Sequence, residues 1–152
     1  MSLDYDLYLA GDRKPVELAA FLAALPGVKA DGQRFEALGI TGGGLPVGDN
    51  LRSMVRKAVG VVVSTQIYFR VDLSVYTDEE GYLGMGTIMR TVFAILGQTP
   101  DDALFLFNGG ECLFVRRSGK LVFNAASGFW KDDRFKGLIT VPFELAELPS
   151  SL

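Results

Sequence analysis

ALFLFNGGECLFVRRSGKLVFN, residues 103–124, decides the fold class. Ala103 to Phe107, Cys112 to Arg116 and Lys120 to Asn124 are short, largely apolar runs with one or two aromatics each, all of strand length. Asn108-Gly109-Gly110 and Ser118-Gly119 separate them, and such pairs supply the positive φ angles that tight hairpins require. Three strands joined by tight hairpins must pair antiparallel, because a parallel pair needs a crossover of a dozen residues or more.

Upstream, Leu3, Tyr5, Leu7 and Leu9 alternate with Asp4, Asp6, Tyr8 and Ala10, which is the period of two for a strand with one buried face. Pro15 suits a first helical position, and Leu18, Phe21, Leu22 and Leu25 follow at helical spacing until Pro26-Gly27. From Val28 to Asn50 the sequence predicts short strands between turns, with Gly42-Gly43-Gly44 breaking any regular element. Ala58 to Val75 holds at least one strand, placed in its second half by the alternation of Ile67, Phe69, Val71 and Leu73. Thr77 to Gly84 is expected to be a loop, followed by a helix from Met85 to near Gly97 with a broad apolar stripe of Ile88, Met89, Val92, Ile95 and Leu96.

This order places helices between groups of strands and predicts an α+β fold. Its mainly antiparallel sheet carries two principal helices and ends in the three-strand meander. A chain of 152 residues with 49% hydrophobic and 22% charged residues suits one domain spanning 1–152, and nothing in it indicates repeat or disorder.

The net charge of −3 offers no basic footprint for a nucleic-acid backbone. Met1 to Ala10 lacks the basic start and unbroken apolar stretch of a secretory signal, and no apolar run approaches the roughly 20 residues that cross a bilayer. A single cysteine, Cys112, forms no internal disulfide, so a cytoplasmic location is expected.

Histidine is absent, which removes the commonest general base near neutral pH and, with one cysteine, any four-ligand zinc site of the soft type. Gly39 to Asn50 lacks the Lys-Ser/Thr of a phosphate loop and reads as a flexible turn that opens no helix. Gly81, Gly84 and Gly86 are not spaced as a dinucleotide fingerprint and read as loop and helix start. Cys112 has no basic neighbour to activate it and reads as a small buried apolar residue. No catalytic residue, cofactor site or metal site is assigned.

Asp78-Glu79-Glu80, Asp101-Asp102 and Asp132-Asp133 are the acidic clusters, and each suits a solvated surface or a helix start. Phe129-Trp130 followed by Lys131-Asp132-Asp133 has the mixed aromatic and charged composition of a protein contact, although packing at a sheet edge would use the same aromatics. The candidate partner-binding residues are therefore Phe129, Trp130, Asp132 and Asp133, with Glu79 and Glu80 behind them. Two alternatives stay open: a small carboxylate and Mg²⁺ enzyme gathering Asp72, Asp78, Glu79 or Glu80 in one cleft, and a structural module that self-associates through a sheet edge.

Several short motifs run in order along the chain. They are Leu3-Asp4-Tyr5-Asp6-Leu7, Tyr68-Phe69-Arg70-Val71-Asp72, Asp101-Asp102-Ala103 leading to Leu106-Phe107-Asn108-Gly109, and Arg116-Arg117-Ser118-Gly119-Lys120-Leu121. Asn124, Phe129-Trp130 and Val141-Pro142-Phe143-Glu144 complete them. Together they resemble the Sit-type bacterial immunity proteins of swarm-inhibition toxin–immunity pairs. The resemblance implies a cytoplasmic protein that binds a delivered cognate toxin and blocks it, with no cofactor.

Overall fold

A computed structural model describes residues 2–72, 78–127 and 133–148. Among the described residues, nine strands and four helices follow one another in the order β1 (Ser2–Leu9), α1 (Pro15–Ala23), β2 (Lys29–Asp31), β3 (Arg34–Ala37), β4 (Ile40–Pro46), α2 (Asp49–Val59), β5 (Thr65–Asp72), α3 (Asp78–Gln98), β6 (Ala103–Phe107), β7 (Glu111–Arg117), β8 (Lys120–Asn124), α4 (Asp133–Lys136) and β9 (Glu144–Ala146). All nine strands share one sheet in the order β2-β3-β4-β5-β1-β6-β7-β8-β9. Every pairing is antiparallel except β8 with β9, so the α+β class expected from the sequence is the one observed.

The meander folds as its turn residues dictate. Asn108 and Gly109 adopt φ of 48° and 77° in the three-residue β6–β7 loop, and Ser118 and Gly119 adopt 51° and 79° in the two-residue β7–β8 loop, left-handed pairs that match the twist of tight hairpins. A bulge interrupts β6–β7 pairing, with Phe105 opposite Phe114 and Leu106 opposite Cys112, so Leu113 is the extra residue. Leu113 and Phe114, adjacent in sequence, consequently both enter the same core cluster.

That larger cluster lies on one face of the sheet. Tyr5, Leu7 and Leu9 of β1, Ile67, Phe69 and Val71 of β5 and Phe105 of β6 meet Leu18 and Leu22 of α1 and Ile88, Met89, Val92, Phe93 and Leu96 of α3. The other face carries a smaller cluster, in which Val55 and Val59 of α2 join Val61 and Val63 over Tyr8, Leu104, Leu106, Cys112 and Val115. Helices therefore cover both sides of the sheet's middle.

Three local expectations are corrected. The glycine run is a strand, β4, and not a break. An added Cβ at Gly42 would lie 2.5 Å from the Phe35 ring, at Gly43 2.6 Å from the Tyr68 hydroxyl, and at Gly44 2.9 Å from Pro15, so the strand needs glycine where neighbours close in. The stretch Gly39 to Asn50 also does open a helix: Gly48 is the N-cap of α2, which the sequence reading left unassigned. Finally, α3 begins at Asp78, so residues 78–84, with Gly81 and Gly84, are helical rather than a loop. Each helical glycine costs about 1 kcal/mol relative to alanine, but most helical stability in a protein comes from packing, and α3 packs along the sheet.

Two consecutive arginines of β7 finish helices on opposite faces. Arg116, only 5% exposed, donates from Nη1 to the Leu96 carbonyl in the last turn of α3 at 2.7 Å. It also donates to the carbonyls of Thr99 (2.6 Å) and Asp101 (2.8 Å). Burial pushes its pKa below the ordinary arginine value, while Asp101 and Asp102 pull it back. Arg117 donates to the carbonyl of Val59, the last residue of α2, at 3.1 Å.

Candidate partner-binding surfaces

Of the residues proposed as a contact patch, Phe129, Trp130 and Asp132 lie outside the described residues. Asp133 is the first residue of α4, exposed, and forms an ion pair with Lys136 at 2.7 Å. Glu79 and Glu80 fall in the first turn of α3, where negative charge suits the helix N-terminus. Asp102 has a local task, because its Oδ1 accepts the Ser118 amide at 2.9 Å and braces the β7–β8 hairpin. Among the described residues, no group of three or more carboxylate or cysteine side chains is placed to hold a metal ion. Among the described residues, no helix is long and apolar enough to cross a membrane.

Cys112 is fully buried in the smaller cluster, and desolvation pushes its thiol up to about 11. The thiol form therefore prevails at neutral pH, and nucleophilic chemistry needs the thiolate. Native protein at pH 7.5 should react with a thiol-specific alkylating reagent far more slowly than protein in denaturant. Equal rates, read by mass spectrometry, would show that Cys112 is open to solvent.

Three of the sequence motifs come together in the middle of the sheet. Asp4 on β1 pairs with Arg70 on β5 at 2.9 Å, and the Asp4 amide donates to Asn108 Oδ1 at 3.1 Å. Asp6 accepts from Gln66 Nε2 at 2.8 Å; burial raises its carboxyl above the usual range, the Gln66 bond lowers it, and Asp4 raises it again. The cross-strand register places Arg34, Gly43, Tyr68 and Asp6 in one row and Glu36, Thr41, Arg70 and Asp4 in the next. These rows form a polar face on the side of the sheet that α2 covers only further along, with a shallow trough of about 490 Å³ between Arg34, Glu36, Thr41, Tyr68 and Arg70. An antiparallel sheet commonly leaves such a face in water.

A second concavity is apolar. Leu25, Pro26 and Val28 after α1, Ala37 and Leu38 at the end of β3, and Leu83, Thr87 and Arg90 of α3 enclose a cleft of about 390 Å³. Its shape follows from how closely α3 rides on the β3–β4 turn: an added Cβ at Gly84 would lie 2.7 Å from the Gly39 carbonyl oxygen. Thr87 Oγ1 reaches the Leu38 carbonyl at 3.4 Å and the Leu83 carbonyl at 2.9 Å. Leu38 and Leu83 stand 59% and 44% exposed on the rim. No sequence pattern flags this cleft, since its walls come from three segments that only the fold brings together.

Comparison with known proteins extends the motif resemblance. No curated protein and no solved structure matches the chain. A model of the SitI3-like family matches residues 3–134, from β1 to the start of α4, so the match takes in every strand of the sheet except β9 and all three long helices. The chain belongs to the SitI3-like family, in keeping with the Sit-type character of its motifs.

Proposed function

We propose that this protein is an immunity protein that binds and neutralises a cognate delivered toxin in the cytoplasm, without a cofactor and without catalysis of its own. The observation that carries this reading is membership of the SitI3-like family over residues 3–134. Two of its solvent-facing concavities, one apolar and one polar, suit non-covalent recognition. Phe129, Trp130, Asp132 and Asp133, with Glu79 and Glu80, remain the proposed contact patch.

The test is a pull-down and growth-rescue assay with the product of the neighbouring open reading frame. The wild-type chain should bind it tightly and restore growth to cells that express it. Trp130→Ala should weaken binding by at least tenfold, as for an aromatic anchor. Neither binding nor rescue by the wild-type chain would overturn the immunity reading; unchanged binding by the variant would remove Trp130 from the contact.

A further inference from the structure

We infer that the cleft between α1, the β3–β4 turn and α3 receives a toxin segment carrying an apolar side chain followed by a carboxylate. This deepens the proposed function and rests on it. The cleft combines features that a solvated crevice lacks. Its walls are apolar, and Leu38 and Leu83 stay exposed on the rim although burying either would be favourable. Its cation, Arg90, has no carboxylate: among the described residues its side chain bonds only to Thr87 Oγ1, at 3.4 Å, and it takes part in no ion pair. Its helical neighbours at three and four residues, Gly86, Thr87, Phe93 and Ala94, supply no acid.

The order Leu83, Thr87, Arg90 along α3 gives the occupant a direction, with its apolar side chain in the cleft and its acid on Arg90. An arginine offers a planar fork for that carboxylate, so the contact selects geometry as well as charge.

The experiment measures the affinity of the neighbouring gene's toxin for the wild-type chain and for Arg90→Glu, Arg90→Lys and Leu38→Asp, with Met54→Asp on α2 as a control. Leu38 and Met54 are 59% and 53% exposed, so neither substitution disturbs the core, and thermal midpoints are measured for all variants. Arg90→Glu and Leu38→Asp should each lose about 30-fold or more in affinity, Arg90→Lys less, and Met54→Asp nothing. Binding by the wild type with equal affinity for Arg90→Glu and Leu38→Asp would overturn the cleft and leave the immunity reading standing. Absence of binding by the wild type would overturn both.

Discussion

Replacing Arg116 by methionine should lower the free energy of unfolding by about 3 kcal/mol, read from the denaturation midpoint in urea. Methionine keeps most of the aliphatic stem and removes the three guanidinium bonds. Those bonds hold the carbonyls of Leu96, Thr99 and Asp101 at 2.6–2.8 Å. Bonds to a charged group contribute about 1.5–3 kcal/mol each, and carbonyls left buried without a donor cost further. Water entering the space, and relief from burying a charge, return part of that total. The last turn of α3 has no basic residue of its own, so Arg116 is also the cation that opposes the helix dipole there. A loss below about 1 kcal/mol would mean that the carbonyls find other partners and that the arginine is not the clasp described above.

The second large effect is expected at Gly84, and its sign follows from a competition. Removing a glycine from a helix interior should stabilise by up to about 1 kcal/mol, less for a β-branched residue than for alanine. Against this, a Cβ at Gly84 would lie 2.7 Å from the Gly39 carbonyl oxygen and 3.1 Å from Ile40 Cγ2. The first of these is backbone and yields only if α3 lifts from the turn. Overpacking of this kind costs about 1–3 kcal/mol, so Gly84→Val should destabilise by about 2 kcal/mol net. Gly97→Ala provides the opposite sign in the same helix: nothing lies within 4 Å of its added Cβ, and a gain of up to about 1 kcal/mol is expected. Parallel thermal melts of the two variants decide it, and a stabilised Gly84→Val would show that the helix has room to move.

The contrast between these glycines also explains what the sequence could and could not convey. Turn chemistry was legible: Asn108-Gly109 and Ser118-Gly119 need left-handed backbone, and their hairpins stand where those residues put them. The glycines of β4 and α3 gave the opposite impression. Read locally, Gly42-Gly43-Gly44 and Gly81 with Gly84 weaken any regular element. In the fold, the β4 glycines and Gly84 make room for Phe35, Tyr68, Pro15 and the Gly39 carbonyl, groups distant in sequence. The signals for α2 were present, in Leu51, Val55 and Val59 at spacing four, Asp49 in the first turn, Arg56 and Lys57 in the last, and Gly60 as a left-handed cap. Met54 and Ala58 widen that stripe to the full helical i, i+3, i+4, i+7, i+8 pattern, so α2 was legible and was obscured only because Ala58 and Val59 run on into the valines that follow. The pairing of β9 had no local signature at all, being three exposed residues beside β8. The cleft was illegible for a related reason, because Leu25, Leu38 and Leu83 become neighbours only through the sheet.

The two arginines of β7 have a consequence for how the chain tolerates change. Side chains alternate along a strand, so Arg116 and Arg117 reach α3 and α2 on opposite faces only while β7 keeps its pairing with β6 and β8. Sliding β7 by a single residue would turn each guanidinium toward the wrong helix and release both at once. An inserted or deleted residue between Phe114 and Arg117 would therefore act on two layers of the molecule from one position. The Asn108 and Ser118 hairpins at either end of β7 work as a two-sided lock, fixing where each helix stops by fixing which way one strand faces.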